Sequence, residues 1–146
     1  MQDANYKMMK TNKQLIGIDL FAGAGGLSLG AEMAGISMRY AVEADAYAAA
    51  SYKRNFKNAT VFCEDIRKLS ADKLNTQPVF IIMGGPPCQG FSLSNTKTRD
   101  MSNPNNRMFE EFLRFVDKIA PTWFVFENVY GLTKFKNGEE NIQNHI

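Results

Sequence analysis

Five short apolar segments that alternate with helical patterns constrain the fold of this chain most strongly. The segments are residues 15–21, 38–42, 60–63, 79–83 and 123–126. Helical patterns over 27–34, 46–55 and 107–119 lie between them, and Asp45 is expected to cap the second helix. Strands that alternate with helices favour βαβ units with right-handed crossovers. The sequence therefore predicts an α/β fold with a parallel, doubly wound sheet.

Residues capable of chemistry follow each predicted strand directly. They are Gly23, Glu43, Asp65, the run Pro86-Pro87-Cys88, and Glu127. Sheets of this kind bind ligands at the carboxyl ends of their strands. We therefore expect these five positions to lie along one edge of the sheet and to form a ligand site there.

A glycine-rich turn, DLFAGAGG over residues 19–26, joins the first strand to the first helix. Glycines let the backbone approach a ligand closely, and the helix start offers free N–H groups. The dinucleotide fingerprint G-x-G-x-x-G would need a glycine where Ser28 stands, so the turn fits a nucleoside better. Glu43 can then accept from a ribose diol and Asp65 from an adenine amino group. The alternative is a structural turn with surface carboxylates.

Cys88 lies in the loop GGPPCQGFS, residues 84–92. Two prolines stiffen the approach to it, and its polar neighbours favour a nucleophile over a buried small hydrophobe. Cys63, in contrast, ends an apolar run and is expected to be buried. No histidine lies near Cys88, but Glu127 supplies a carboxyl group at the adjacent strand end. A thiol beside a carboxylic acid suits addition to an electron-poor ring, with the acid protonating a ring nitrogen.

Three motifs, in this order, resemble the N-terminal part of the DNA (cytosine-5)-methyltransferases: DLFAGAGGLS, GGPPCQGFS and the FENV of residues 126–129. The resemblance covers residues 15–131. It implies a Rossmann-like, S-adenosylmethionine-dependent methyltransferase fold with strand order 3-2-1-4-5, truncated after the fifth strand. It also implies methyl transfer from S-adenosylmethionine to C5 of cytosine in DNA, through a covalent bond between Cys88 and C6 of a flipped base.

The resemblance also implies a role for individual residues. The catalytic residues would be Cys88, Glu127 and Asn128. Contacts to the cofactor would come from Asp19, Phe21, Gly23, Gly25, Gly26, Leu27, Glu43, Asp65, Ile66 and Pro86. Contacts to DNA would come from Gln89, Phe91, Ser92, Arg99 and Arg107. The two arginines are equally typical of ordinary solvated charges.

Composition excludes several other classes of protein. His145 is the only histidine, and Cys63 and Cys88 are the only cysteines, so neither a zinc site nor any other metal is predicted. The net charge of +2 resides in residues 1–14, and the rest of the chain has 14 basic and 14 acidic residues. That balance gives no electrostatic footprint for nucleic acid. Without a secretory signal or a membrane-length apolar run, a cytoplasmic location is expected. The family resemblance implies a bacterial or phage setting.

The predicted domain organisation has two parts, a flexible polar leader over residues 1–14 and the N-terminal portion of a methyltransferase domain over 15–146. The family's later motifs and its target-recognition domain do not follow Gly131. The aromatic fifth strand would then lie at an open edge. We expect a complementing polypeptide, a second copy or a continuation to cover it, with double-stranded DNA as the other partner and no membrane.

Two other functions stay open from the sequence. One is a non-catalytic S-adenosylmethionine-binding remnant or interaction module, and the other is an RNA cytosine methyltransferase.

Overall fold

A computed structural model describes residues 14–74, 78–87, 108–128, 136–137 and 140–141. The strands are β1 (Leu15–Leu20), β2 (Ile36–Val42), β3 (Thr60–Phe62), β4 (Ile81–Gly84), β5 (Trp123–Phe126), β6 (Lys136–Asn137) and β7 (Glu140–Asn141). The helices are α1 (Gly26–Met33), α2 (Ala46–Asn55) and α3 (Met108–Ile119), with 3₁₀ turns at Ile66–Lys68 and Ala71–Leu74.

The main sheet has five strands in the order β3-β2-β1-β4-β5, and every neighbouring pair is parallel. Both the predicted α/β class and the order implied by the resemblance are therefore confirmed. β1 lies at the centre, between β2 and β4, so the sequence connection reverses direction across the sheet beside β1. In doubly wound sheets such a reversal opens a crevice for ligands at the carboxyl ends of the strands.

The central strands are buried because helices and turns pack on the sheet. Ile18, Leu20 and Ile82 are completely buried in one cluster together with Phe112 and Phe115 of α3. The expected apolar face of α3, namely Phe109, Phe112, Leu113 and Val116, is only partly right. Leu113 and Val116 are half-buried, whereas Phe115 is fully buried, because α3 packs against the 3₁₀ turns as well as the sheet.

Local expectations differ from the structure in a few places. Cys63 is exposed, so its expected burial is wrong: β3 ends at Phe62 and lies at the edge of the sheet. The strand and helix bounds shift by up to two residues, while α2 and its cap are confirmed, with Asp45 accepting from the N–H of Ala48 at 2.8 Å. The 3₁₀ turns and the antiparallel β6–β7 pair were not predicted.

β5 is the outer strand of the five-stranded sheet and is apolar on both faces. The ring of Phe112 packs edge-on against Phe126 and Phe124, with centroid distances of 5.1 and 6.2 Å. Nevertheless Trp123, Phe124 and Val125 are 63%, 42% and 43% exposed. Within the described residues, β5 therefore combines an open backbone edge with an exposed apolar surface. None of the described helices is long and apolar enough to cross a membrane.

Candidate cofactor and active site

The carboxylate of Glu43 joins the ends of β1 and β2. The backbone N–H of Gly23 donates to Glu43 Oε2 at 2.7 Å, and the N–H of Asp45 donates to Oε1 at 2.8 Å. A carboxylate has about four acceptor positions, so two positions remain after these bonds. Glu43 thus fixes the glycine turn while keeping the capacity to accept from a ligand.

The backbone of the turn occupies the left-handed region at three positions. Gly23 and Gly25 have φ of +55° and +98°, which glycine adopts without a steric penalty. Any side chain at Gly25 would also overlap the ring of Phe56. Phe21 has φ of +60°, a conformation that costs a residue with a Cβ about 1–2 kcal/mol. Strain of this kind clusters at ligand sites, and Phe21 lines the cavity described below.

A buried polar network supports the same turn from beneath. Ser28 donates to Asp19 Oδ2 at 2.5 Å, and its oxygen lies 2.6 Å from the hydroxyl of Tyr52. Ser28 has one hydrogen, so Tyr52 must be the donor in the second contact. Asp19 is completely buried and its Oδ1 has no hydrogen-bond partner. Burial raises the pKa of Asp19 from 3.8 to about 6, and it also raises the pKa of Tyr52.

Asp65 directly precedes the first 3₁₀ turn, Ile66–Lys68, and caps it. Its Oδ1 accepts from the backbone N–H of Arg67 at 3.0 Å, and its carboxylate pairs with the Arg67 guanidinium. These hydrogen bonds lower the pKa of Asp65. Asp65 therefore stays ionised at neutral pH. Both of its oxygens already accept from Arg67, so a ligand donor would replace a bond to the exposed Arg67 guanidinium.

A cavity of about 340 Å³ lies at the carboxyl ends of the strands. Its lining residues are Phe21, Val42, Glu43, Ala44, Glu64, Asp65, Ile66, Arg67, Gly85, Pro87 and Met108. Its volume lies at the lower end of the range for small-molecule sites. The lining combines apolar side chains with the Glu43 carboxylate, which keeps acceptor positions, and with Asp65, whose oxygens are shared with exposed Arg67. These residues fit an aromatic base joined to a sugar diol, and therefore the nucleoside of S-adenosylmethionine.

Glu127 lies beside the start of the loop that leads to Cys88. Its backbone N–H donates to the carbonyl of Gly84 at 2.9 Å, at the carboxyl end of the β4–β5 pair. A Cβ at Gly85 would come within 2.5 Å of Glu127 Oε2. Gly85, which lies three residues before Cys88 in the chain, therefore leaves space for the Glu127 carboxylate.

The structure brings part of the predicted cofactor set together. Phe21, Glu43, Asp65 and Ile66 line the cavity. Asp19 is buried beneath the turn, and the other predicted cofactor residues do not line the cavity, namely Gly23, Gly25, Gly26, Leu27 and Pro86. Among the predicted catalytic residues, Glu127 and half-buried Asn128 follow β5 directly. Cys88, Gln89, Phe91, Ser92, Arg99 and Arg107 lie outside the described residues.

Several lining residues were missed by the sequence analysis. Ala44 and Glu64 flank predicted residues and could have been inferred from that position. Met108 begins α3 far along the chain, and nothing local in the sequence indicates that it reaches the cavity. No group of three His, Cys, Asp or Glu side chains that could hold a metal occurs among the residues that the structure describes.

The fold is Rossmann-like, with a cavity at the carboxyl ends of its strands, and similarity to known proteins shows its family. The family model of the C-5 cytosine-specific DNA methylases matches residues 15–146, so the chain belongs to that family. Over 121 residues the chain is 46% identical to the type II methyltransferase M.DdeI of Desulfomicrobium norvegicum, covering 82% of this chain and 29% of the relative.

Two further similarities agree with this family. The type II methyltransferase M.XorII of Xanthomonas oryzae pv. oryzae is 42% identical over 128 residues, which is 84% of this chain and 30% of the relative. A crystal structure of an Escherichia coli prophage protein, assigned as a DNA modification methyltransferase, has a TM-score of 0.74 and 38% identity, covering 90% of this chain and 36% of that one. The chain thus spans about a third or less of these two curated relatives.

Proposed function

We propose that this chain supplies the cofactor site and the catalytic residues for methyl transfer from S-adenosylmethionine to C5 of cytosine in double-stranded DNA. The observation that supports this most strongly is the composition of the cavity at the carboxyl ends of the strands. Phe21, Glu43 and Asp65 follow β1, β2 and β3, and they share that cavity with Gly85 and Pro87, which lead directly to Cys88. A bound nucleoside would therefore lie next to the predicted nucleophile.

In this proposal Glu43 accepts from the ribose diol, Asp65 accepts from the adenine amino group, and Phe21, Ile66 and Met108 pack against the base. S-adenosylmethionine supplies an electrophilic methyl group. Cysteine thiolates are strong nucleophiles, and a carboxylic acid close to the reacting ring acts as a general acid. Cys88 and Glu127 are therefore assigned to activating the cytosine.

Cys88 forms a bond from its sulfur to C6 of a cytosine that has left the base stack, while Glu127 protonates N3. The C5–C6 double bond is thereby converted to an enamine, in which C5 is nucleophilic. After methylation, N3 returns its proton to the Glu127 carboxylate and C5 gives its own proton to a solvent base. The electrons of the C5–H bond restore the C5–C6 double bond and expel the Cys88 thiolate. Asn128 is assigned to holding the Cys88 loop, and Gln89, Phe91, Ser92, Arg99 and Arg107 to contacting DNA.

The test is a covalent trap. The chain is incubated with S-adenosylmethionine and a duplex that contains 5-fluorocytosine, whose fluorine cannot leave as a proton does, and the adduct is measured by intact mass. We expect the chain alone to be inactive and, once the missing part of the domain is supplied as described below, a protein–DNA adduct that Cys88→Ala abolishes and Cys63→Ala leaves intact. Cys63 is the matched control because it is a free, exposed cysteine outside the cavity. Cofactor binding without any adduct would favour a non-catalytic cofactor-binding module instead.

We also propose that a polypeptide segment carrying the rest of the methyltransferase domain packs on β5. Exposed Trp123, Phe124 and Val125 support this, because parallel strands are normally buried on both faces. Among the described residues, β5 pairs only with β4 and leaves its other backbone edge open. The relatives also extend far beyond the part that this chain matches. The trap experiment is therefore run both with the chain alone and with a fragment of a relative that supplies that part.

A further inference from the structure

Arg114 of α3 is bonded to the turn that forms one wall of the cavity. Its Nη2 donates to the carbonyl of Ile66 at 2.8 Å and to that of Leu69 at 3.2 Å. The same guanidinium donates through Nε to Glu111 at 2.8 Å and stacks 4.6 Å above the ring of Phe115. Four contacts in different directions therefore fix a single planar group.

The turn that Arg114 holds is short and supplies two predicted cofactor contacts. Its internal backbone bonds are those from Lys68 N–H to the Asp65 carbonyl, at 2.9 Å, and from Leu69 N–H to the Ile66 carbonyl, at 3.2 Å. Isolated 3₁₀ turns of this length have poor hydrogen-bond geometry and little stability of their own. The guanidinium uses the remaining acceptor capacity of Ile66 and attaches the turn to α3. The first residue of α3, Met108, lines the same cavity.

We propose that Arg114 is a positioning residue for the adenine side of the cofactor cavity. By anchoring the Ile66–Lys68 turn to α3, it sets the distance between the Asp65 and Ile66 wall and Met108. Glu111 supports this role by holding the guanidinium in its plane. The inference rests on the proposed function, because it assigns the adenine subsite to that wall.

The same helix contains a matched control. Lys118, one turn further along α3, pairs with Asp72 at 3.3 Å, and Asp72 belongs to the second 3₁₀ turn, Ala71–Leu74. This pair also joins α3 to a 3₁₀ turn, but neither residue lines the cavity. The Lys118→Met variant therefore shows what happens to cofactor binding when a contact between α3 and a 3₁₀ turn is lost away from the cavity.

The experiment measures dissociation constants for two probes, S-adenosylhomocysteine and its N6,N6-dimethyladenine analogue, which lacks the donors that Asp65 would accept. We expect the wild-type chain to prefer the first probe, and Arg114→Met to reduce that preference at least about fivefold. Arg114→Lys should not restore it, since one ammonium cannot reproduce the planar fork. Lys118→Met should keep the wild-type preference.

An Arg114→Met chain that melts at a lower temperature yet keeps both dissociation constants would overturn the inference, because the role would then be structural only. The same holds if Lys118→Met reduces the preference equally. If Arg114→Met does not fold, Glu111→Gln is used, and an unchanged preference there would also overturn it. Failure of the wild-type chain to bind either probe would instead contradict the proposed function, and this inference with it.

Discussion

Ser28 donates a 2.5 Å hydrogen bond to Asp19 at a point where both side chains are completely buried. The bond connects the end of β1 to the first turns of α1, directly beneath the glycine turn. Burial outweighs the stabilising effect of this bond on the charged form, so the pKa of Asp19 is raised to about 6. A carboxylate that is partly neutral near physiological pH is thus built into the support of the cofactor site.

This raised pKa should make the stability of the fold depend on pH. Folded Asp19 binds its proton more tightly than the unfolded chain does, so its contribution is fully present below about pH 4 and lost as the pH rises through about 6. We expect the free energy of unfolding of the wild type, relative to the neutral Asp19→Asn variant, to fall by about 2 kcal/mol between about pH 4.5 and about pH 7.5. Urea unfolding at several pH values measures it. A difference that stays constant or rises with pH would contradict the burial argument.

Glu43 should control cofactor affinity through the turn as well as through direct contact. Glu43→Ala frees the Gly23 N–H and removes the predicted ribose acceptor at the same time. Hydrogen bonds to charged groups contribute about 1.5–3 kcal/mol, so we expect the dissociation constant for S-adenosylmethionine to rise about 10- to 100-fold by calorimetry. Glu32→Gln, an exposed change on α1, is the control and should leave the constant unchanged. Equal S-adenosylmethionine affinities of Glu43→Ala and wild type would show that Glu43 does not contribute to cofactor binding.

Two glycine substitutions should separate catalysis from folding. A methyl group at Gly85 would come 2.5 Å from Glu127 Oε2, so Gly85→Ala must displace the acid. Small misplacements of catalytic groups lower the reaction rate strongly. We therefore expect the yield of the 5-fluorocytosine adduct to fall at least about tenfold. Circular dichroism checks that the variant still folds.

The comparison is Gly30→Ala on α1, where a Cβ would meet nothing within 4 Å. Alanine is the better helix former, so we expect this variant to gain about 0.5–1 kcal/mol in unfolding free energy and to keep the adduct. Normal adduct formation by Gly85→Ala would show that Glu127 does not need the space beside Gly85.

The exposed strand β5 should determine how the chain associates. Trp123→Lys places a charge on the surface where Trp123 is 63% exposed, so we expect it to weaken binding of the complementing fragment at least about tenfold while leaving cofactor affinity unchanged. Leu29→Lys, a change on the exposed face of α1, is the control. Analytical ultracentrifugation of chain and fragment measures both. A wild-type chain that stays a monodisperse monomer and does not bind the fragment would contradict the proposal that a further segment packs on β5.

The parallel sheet was predictable because the alternation of apolar and helical segments is local in the sequence, whereas the strand order came from the family resemblance. An apolar run such as Leu15–Leu20 favours a buried parallel strand, and the residues that follow β1 and β2, Phe21 and Glu43, then share one edge of the sheet. Burial near a sheet edge was not predictable in the same way. Cys63 ends an apolar run, but β3 is an outer strand of the sheet and none of the described elements covers that cysteine.

The contacts that hold the site together were missed because they join distant parts of the chain. Arg114 reaches Ile66 across 48 residues of sequence, and its charge alone is typical of an exposed helix face. The left-handed backbone at Phe21 was also unpredictable, since a bulky side chain rarely adopts it unless the surrounding structure imposes it.

The chemical identity of the product tests the central proposal most directly. The chain is incubated, alone and with the complementing fragment, with duplex DNA and S-adenosylmethionine bearing an isotopically labelled methyl group. The DNA is then digested to nucleosides and analysed by mass spectrometry. We expect label only in 5-methylcytosine and only when the fragment is present, and no label with Cys88→Ala. Label on an exocyclic nitrogen of cytosine or adenine, or undiminished 5-methylcytosine from Cys88→Ala, would contradict the proposed chemistry.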